Sequence, residues 1–420
     1  MGDKNVNVRK LSYEVLYDVC FNDKLLNNRL SESSIKIADE EDRSFLKREC
    51  TGVIEKIDYI DSVIDRFSKV KTKKLDKEIL LVLRIGTYEI LFMEKVPSYA
   101  TINECVDIVK HTRKAKLSNY VNAILRSIDR DGNIKQKDIS NDPEKNCYFR
   151  IYNDNEKLVL AELDDKKIEY KKYSGKLNFR YAKVYKTCNY KDVIELKNFN
   201  DGNILISDAS SIYLTDILAY YIKEREKKLS LDKNKTLKMI KILDTCASPG
   251  GKILGLIDLI YSDYYYFYAE ARDVSEEKIY KICENTNRLK VLDLNLNVKD
   301  ARDFDELDRD KYDVVISDVP CTGLGVITKK PDTVIHFTED KLLSLVDIQK
   351  KIIESSSKCV KSGGLLSYST CTTTKEENED IVSAFLEKNE NFSKLYEKRI
   401  DIGDENECDG FYMCIMERKK

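Results

Sequence analysis

The sequence predicts an α/β domain with a parallel, helix-covered sheet, preceded by an all-helical domain and a small α+β subdomain. Three successive patterns indicate this fold class. Apolar residues recur at helical spacing up to about residue 131, alternate with polar residues over 147–199, and then form short apolar runs between longer helical segments. The last pattern is typical of βαβ units with buried parallel strands. We therefore expect domains at 1–131, 132–200 and 201–420.

The first pattern predicts an all-α bundle of five or more helices. It is carried by LSYEVLYDVCF, IEKIDYIDSVIDRF, EILLVLRIGTYEILFM and INECVDIVKH. The breaks between helices are VKTKKLDK before Glu78, KVPSYAT around Pro97, and RKAKLSN further on, and Thr101 is expected to cap the helix after Pro97. The polar stretch DGNIKQKDISNDPEKN after Arg130 is interpreted as a linker, which places a domain boundary near Asp131.

The second and third patterns predict two groups of strands. In the small subdomain, CYFRIYN, LVLAEL, KLNFRYAKVY and DVIEL alternate apolar and polar residues, so each is interpreted as a short strand. From Ile204 onward, MIKILDTC, YYYFYAEA, YDVVISDVP and GGLLSYST predict the buried strands of a parallel sheet. Connections between such strands carry helices to both faces of the sheet.

Composition excludes several classes of protein. The 72 basic and 74 acidic side chains nearly cancel, so nucleic-acid binding would have to come from local basic patches. No run approaches the ~18 apolar residues of a membrane helix, and the start lacks the apolar core of a secretory signal. We expect a cytoplasmic protein without a membrane partner. The 12 cysteines include no CxxC pair and there are 2 histidines, so we expect no metal site.

The motif ILDTCASPGGK leads from a strand through a Gly-rich turn into a helix. Consecutive glycines let a ligand approach the backbone, and the helix N-terminus offers free N–H groups, so a Rossmann-like small-molecule cleft is expected here. A phosphate-binding P-loop would need Gly in place of Cys246 and Ser or Thr in place of Ile253. That alternative is therefore excluded.

Three acids are candidates for contacts to a nucleoside in this cleft. Asp273 lies 22 residues after Gly251, which is the spacing of an acid that binds ribose hydroxyls, and Glu270 is the competing candidate. Asp300 follows the third strand and is a candidate for an adenine amino group.

Two further motifs bring cysteines to the same edge of the predicted sheet. DVVISDVPCTGLGVITKKPD places Asp318 and Cys321 at the end of one strand, and GGLLSYSTCTTTKEENED places Cys371 at the end of another. Two cysteines beside a carboxylate predict attack by a thiolate. The second motif also resembles a capping box that opens a helix at Thr373 or Thr374, followed by Glu376 and Glu377.

In their order and spacing, DTCASPGGK, SDVPCTGLGVITKKPD and YSTCTTTKEENED resemble the S-adenosylmethionine motif and the two cysteine motifs of RNA 5-methylcytosine methyltransferases. The segment GTYEILFMEKVPSYATINECVDIVKHTRKAKLSNYVNAILR is similar to the NusB-like RNA-binding domain fused to one branch of that family. Together they resemble bacterial 16S rRNA cytosine-5 methyltransferases of the RsmB (Sun/Fmu) type. The resemblance implies a monomeric S-adenosylmethionine-dependent enzyme that methylates carbon 5 of a cytosine through a covalent cysteine–C6 intermediate.

The same resemblance implies roles for individual residues. Cys371 is the nucleophile, Cys321 helps to remove the C5 proton and release the product, Asp318 binds the base, and Lys252 supports the site electrostatically. The roles of the two cysteines stay open to exchange, because DNA cytosine methyltransferases use the Pro-Cys cysteine as nucleophile. The implied S-adenosylmethionine contacts are Cys246, Ala247, Ser248, Pro249, Gly250, Gly251, Lys252, Asp273, Asp300 and Asp318.

Basic clusters are the candidates for RNA-backbone contacts. They are Lys110, Arg113, Lys114 and Lys116 in the helical domain, and Lys329 and Lys330 after the first cysteine motif, with Arg150 and Arg180 as further candidates. Two alternative functions remain open at this point. One is methylation of tRNA or another RNA, and the other is a non-catalytic RNA-binding assembly factor.

Overall fold

The computed structural model describes residues 6–131, 146–152, 154–188, 190–229, 238–261 and 265–420. The chain forms two compact units, Met1–Pro143 with Lys329–His336, and Glu144–Thr328 with Phe337–Lys420. The stretch interpreted as a linker is outside the described residues over 132–145. In the described ranges, no helix has the length and apolar character needed to cross a membrane.

The first unit is all-α, as the helical periodicity predicts. Its main helices are α1 (Val8–Phe21), α2 (Leu26–Ser34), α3 (Glu40–Glu55), α4 (Ile57–Phe67), α5 (Lys77–Phe92), α6 (Ser98–Lys110) and α7 (Ser118–Arg130). Their buried faces share one hydrophobic core. The predicted cap at Thr101 is wrong, because α6 begins at Ser98. The buried Thr101 hydroxyl instead donates a hydrogen bond to the carboxylate of Glu89.

Residues Lys329–His336 pack with the helices of the first unit, although they follow the first cysteine motif in the chain. They contain the short helix α14 (Asp332–Ile335). The residue before α2, Leu25, offers no side-chain cap, and Asp332 Oδ2 accepts the Leu26 N–H at 2.9 Å instead. His336 Nδ1 lies 3.0 Å from Asp23 Oδ1. A capping interaction between residues 306 positions apart has no local sequence signal.

The second unit begins with a four-stranded antiparallel sheet in the order β2-β3-β1-β4. Its strands are β1 (Cys147–Ile151), β2 (Lys171–Lys172), β3 (Val184–Thr187) and β4 (Ile204–Ile206), and it is accompanied by α8 (Glu156–Asp165), α9 (Tyr190–Ile194) and α10 (Lys197–Asn200). Two predicted strands are wrong, because LVLAEL lies in α8 and DVIEL lies largely in α9. In a third, KLNFRYAKVY, only Val184 and Tyr185 belong to a strand, β3. Val159 and Leu163, four residues apart, are fully buried, while Leu158 is exposed. This is the spacing of a helix, and over so few residues it also fits the alternation of a strand.

A seven-stranded sheet in the order β10-β11-β9-β8-β5-β6-β7 forms the centre of the second unit. Its strands are β5 (Lys238–Asp244), β6 (Tyr265–Asp273), β7 (Leu294–Val298), β8 (Tyr312–Asp318), β9 (Val360–Thr370), β10 (Phe392–Ile400) and β11 (Phe411–Arg418), and its helices are α11 (Ala209–Leu229), α12 (Gly251–Ile260), α13 (Glu276–Arg288), α15 (Glu339–Cys359) and α16 (Glu379–Lys388). Strands β5 to β9 pair in parallel, and β10 and β11 pair antiparallel. Two hydrophobic clusters pack the sheet. The predicted parallel sheet is confirmed, and its carboxyl edge carries all three motifs.

A buried ion pair between Arg150 on β1 and Asp258 on α12 connects the small sheet to that helix. Arg150 is 1% exposed, its Nη1 donates to the carbonyl of Gly255 at 2.8 Å, and its Nη2 donates to Asp258. Arg150 therefore cannot contact RNA, which corrects the expectation from the sequence. Burial lowers the pKa of its guanidinium to about 10, and the nearby Tyr152 and Asp216 oppose this shift.

We expect Arg150→Ala to lower the free energy of unfolding by about 3–5 kcal/mol, because it removes one partner of a buried charge pair. Urea denaturation followed by circular dichroism measures this change. The matched control is Arg180→Ala, at an exposed arginine of the same unit, with an expected effect below about 1 kcal/mol. Equal losses for the two variants would contradict a structural role for Arg150.

Candidate active site

The Gly-rich turn joins β5 to α12 and is held against the end of β6. Gly250 has a φ of +100°, a left-handed conformation that favours glycine. The Ala247 N–H donates to the carbonyl of Arg272 at 2.9 Å, and the Ser248 N–H donates to Asp273 Oδ2 at the same distance. Asp273 also accepts from Lys278 Nζ at 2.9 Å. The turn and the acid that the sequence paired with it are therefore in direct contact.

The other two acids have different surroundings. Glu270 is buried, with one oxygen accepting from Arg272 Nε at 2.6 Å and the other accepting from the Tyr312 hydroxyl at 2.7 Å. Glu270 is therefore bonded to Arg272 and Tyr312 in the core, whereas Asp273 contacts the Gly-rich turn. Asp300 follows β7 and is half-buried, and Arg302 Nε donates to its Oδ1 at 2.9 Å.

Asp244, the last residue of β5, is a further acid at this turn that was not predicted from the sequence. It is 1% exposed, and Oδ1 accepts the Cys246 N–H at 3.3 Å. Among the described residues Oδ2 has no hydrogen-bond partner. Burial raises the pKa of Asp244 to about 8, with Lys252 opposing and Asp318 adding to the shift. An acid directly before a Gly-rich turn is the signal that could have found it.

The two motif cysteines lie side by side. Cys321 follows β8 and Cys371 follows β9, the adjacent parallel strand, and their Sγ atoms are 3.3 Å apart. Both are half-buried. The contact with Cys371 raises the pKa of Cys321 well above its usual value, burial adds to the shift, and the charge of Glu377 raises it further. Cys321 therefore holds its proton more tightly than an ordinary thiol.

A lysine–aspartate pair lies next to the cysteines. Lys252 Nζ donates to Asp318 Oδ2 at 2.6 Å, and Ser369 Oγ donates to Asp318 Oδ1 at 2.7 Å. Burial lowers the pKa of Lys252, but the charge of Asp318 and the hydrogen bond to it outweigh burial, and Cys371 contributes in the same direction. Lys252 therefore remains a cation. The sequence motifs identified this pair, whereas Ser369 carried no separate signal.

The basic side chains predicted to contact RNA in the first unit are all exposed. They are Lys110, Arg113, Lys114, Lys116, Lys329 and Lys330. Of these, Lys114 Nζ forms an ion pair with Asp76 Oδ2 at 2.9 Å. In the second unit the Arg180 guanidinium lies 3.9 Å from the centre of the Tyr220 ring.

Residues 229–413, which include the whole site described above, match the family model of 16S rRNA methyltransferases RsmB/F, and residues 6–130 match the NusB family model. Residues 229–413 belong to the RsmB/F methyltransferase family, and residues 6–130 belong to the NusB family. The motifs in the sequence predicted this order, with a NusB-like domain followed by an RsmB/F catalytic domain.

Two of the known proteins similar to this RsmB/F methyltransferase match at least 99% of its length. The probable ribosomal RNA small subunit methyltransferase B of Bacillus subtilis strain 168 is 25% identical, and the match covers 99% of this chain and 100% of that protein. The crystal structure of PH0851 has a TM-score of 0.71 at 20% identity and covers 100% of both chains. NSun6 from Pyrococcus horikoshii, solved with SFG, has a TM-score of 0.50 at 18% identity, covering 75% of this chain and 97% of its own. These two structures share the fold of this RsmB/F enzyme.

Proposed function

We propose that this chain transfers a methyl group from S-adenosylmethionine to carbon 5 of a cytosine in 16S rRNA, through a covalent bond between Cys371 and carbon 6. The observation that carries the proposal is the pair of cysteine sulfurs 3.3 Å apart, beside the Lys252–Asp318 ion pair. The family match and the NusB domain favour ribosomal RNA as the substrate.

The turn after β5 fits a ligand that carries an ammonium group and a nucleoside. The Asp244 carboxyl oxygen without a described partner supplies an acceptor for the ammonium, and Asp273 supplies one for a ribose. When bound, S-adenosylmethionine supplies an electrophilic methyl group. The residues proposed to hold it are Asp244, Cys246, Ala247, Ser248, Pro249, Gly250, Gly251, Lys252, Asp273, Asp300 and Asp318.

Binding of S-adenosylmethionine is expected to release close to one proton at pH 7. Asp244 is largely protonated there because its pKa is raised to about 8, and an ammonium group beside it favours the carboxylate. Calorimetric titrations in buffers of different ionisation enthalpy measure the release. Asp244→Asn is expected to abolish it and to weaken binding about tenfold, whereas Asp293→Asn, at an exposed aspartate, changes neither. Equal proton release from Asp244→Asn and the unaltered protein would exclude this role.

Carbon 5 of cytosine is too weak a nucleophile to take a methyl group directly, so a nucleophile must first add to carbon 6. The electrostatic arrangement favours Cys371 for this step. The Lys252 ammonium interacts favourably with a Cys371 thiolate, while Cys321 is surrounded by Cys371, Glu377 and Asp318, which all favour its thiol form. One proton is thus held on Cys321 while Cys371 forms the Sγ–C6 bond.

Cys321 and Asp318 complete the reaction. Asp318 lies at the end of β8, where its carboxylate accepts a hydrogen bond from the amino group of the base, next to N3, and so orients the ring for attack at carbon 6. Once Cys371 is bonded to carbon 6, the main cause of the raised Cys321 pKa is gone. Cys321 then loses its proton to solvent and takes the C5 proton after methyl transfer, while the Cys371–C6 bond breaks. The net products are the methylated base, the demethylated donor and one proton.

The RNA must present an unpaired or flipped cytosine, because the site lies at the edge of a sheet. The exposed basic side chains proposed to bind the RNA backbone are Lys110, Arg113, Lys114, Lys116, Lys329, Lys330 and Arg180. We propose that the protein acts as a monomer and without a metal ion.

The proposal is tested by incubating the protein with deproteinised 16S rRNA and methyl-labelled S-adenosylmethionine, followed by nucleoside analysis. Label in 5-methylcytidine is the expected result. Label that appears only with tRNA or another RNA would show that 16S rRNA is not the substrate. Absence of label together with absence of S-adenosylmethionine binding in calorimetry would overturn the proposal in favour of a non-catalytic assembly factor.

A further inference from the structure

A buried carboxylate lies behind the two cysteines and has no part in the mechanism above. Glu377 is 0% exposed and precedes α16, which begins two residues later. The helix predicted to open at Thr373 or Thr374 is therefore wrong, and Glu377 does not serve a capping box. Its carboxylate turns inward to the loop that follows β8.

Glu377 binds the residue next to Cys321 through both of its oxygens. Oε1 accepts the backbone N–H of Thr322 at 2.9 Å, and Oε2 accepts the Thr322 hydroxyl at 2.6 Å. Gln349 Nε2 also donates to Oε1 at 2.9 Å, and the Thr374 hydroxyl donates to Oε2 at 2.6 Å. Four donors thus converge on one carboxylate, and no described Lys, Arg or His forms an ion pair with it.

The same contacts tie the loop of Cys321 to the loop of Cys371. The hydroxyls of Thr322 and Thr372, the residues that follow the two cysteines, are 2.8 Å apart. The Gly325 N–H donates to the carbonyl of Cys371 at 3.0 Å. Gln349 on α15 donates to the carbonyl of Pro320 at 2.9 Å, on the other side of Cys321. Both backbone neighbours of Cys321 are therefore held within one buried network.

We propose that Glu377 is a positioning residue for product release: it fixes the Thr322 backbone and thereby holds the Cys321 sulfur against Cys371. The inference rests on the proposed function, since it assigns Cys321 to the release step. A buried carboxylate with no cationic partner is costly, and hydrogen bonds to its full charge are the compensation. Its charge also acts on Cys321, in the direction that keeps the proton on that sulfur before Cys371 attacks.

The proposal predicts that Glu377→Gln impairs release more than bond formation. A glutamine has one acceptor oxygen and an NH2 donor in place of the other, so the hydrogen bond from the Thr322 hydroxyl is lost or reversed and Cys321 is displaced. A displacement of about 1 Å costs on the order of 100-fold in a positioned step. Cys371 is held on a different strand end, so its attack on carbon 6 continues. A covalent protein–RNA adduct is therefore expected to accumulate with S-adenosylmethionine present.

The experiment mixes enzyme, 16S rRNA and S-adenosylmethionine in a single turnover, and follows the adduct on denaturing gels and 5-methylcytidine by nucleoside analysis. The expected result for Glu377→Gln is adduct formation within about threefold of the unaltered rate and release slowed 10- to 100-fold. Glu376→Gln is the matched control, because Glu376 is the exposed neighbour and is expected to release product normally. The double variant Cys321→Ala/Glu377→Gln should release no more slowly than Cys321→Ala alone.

Three outcomes separate the hypotheses. No methylation by the unaltered protein would overturn the proposed function itself. Normal release by Glu377→Gln, with normal turnover by the unaltered protein, would overturn only the positioning role. Equal slowing of adduct formation and release, with a lowered melting temperature, would assign Glu377 to general stability and would also overturn the positioning role.

Discussion

Cys371→Ala is expected to lower the rate of 5-methylcytidine formation by at least about 10⁴-fold, to the level of the reaction without enzyme. Alanine cannot add to carbon 6, and without that bond carbon 5 is not nucleophilic enough to accept a methyl group. The neighbouring Cys321 is not expected to replace it, because Cys321 lies at the end of a different strand, β8, and is proposed to act at carbon 5. Incorporation of labelled methyl groups into 16S rRNA measures the effect.

The Cys371 experiment needs evidence that the variant is folded and binds its ligands. Calorimetric binding of S-adenosylmethionine should be unchanged, since Cys371 is not among the residues proposed to hold it. Cys188→Ala, at an exposed cysteine outside the motifs, is the control and should keep full activity. Turnover by Cys371→Ala within tenfold of the unaltered enzyme would show that another residue is the nucleophile.

Cys321→Ala is expected to trap the protein on its RNA as a stable covalent complex. Cys371 still attacks and the methyl group is still transferred. The Cys321 sulfur, which lies 3.3 Å from the Cys371 sulfur, is then no longer there to take the C5 proton that must leave before the Cys371–C6 bond breaks. The complex should appear as a slowly migrating band on a denaturing gel, and should reach a substantial fraction of the enzyme within one turnover. It should be absent from Cys371→Ala and from the double variant Cys321→Ala/Cys371→Ala.

The same pair of variants decides which cysteine is the nucleophile. If Cys371→Ala forms the stable complex and Cys321→Ala forms none, the two roles are exchanged, as in DNA cytosine methyltransferases. Wild-type turnover by Cys321→Ala without a trapped complex would show that Cys321 has no role in product release. The proposal that Glu377 is a positioning residue would then lose its basis.

Much of the fold was predictable because its signals are local. The helical period of the first unit, the apolar strands β5, β6, β8 and β9, and the Gly-rich turn are each contained in short stretches of sequence. The errors have the same origin. Short windows such as LVLAEL and DVIEL fit a strand period and a helix period about equally well, and packing of Val159 and Leu163 into one core selected the helix. Likewise, Thr374 and Glu377 resemble a capping box, but the Thr374 hydroxyl donates to the Glu377 carboxylate, which also binds the distant Thr322.

By itself, the sequence determined the fold class, the family resemblance and the residue types at the site, because each motif is a continuous run whose strand ends at one sheet edge. The tertiary structure alone decided which acid faces the turn, since Glu270 is claimed by Arg272 and Tyr312 while Asp273 binds the turn backbone. It also decided that the two sulfurs, 50 residues apart, lie in contact. These outcomes depend on strand order and side-chain packing between distant segments, which local periodicity does not encode.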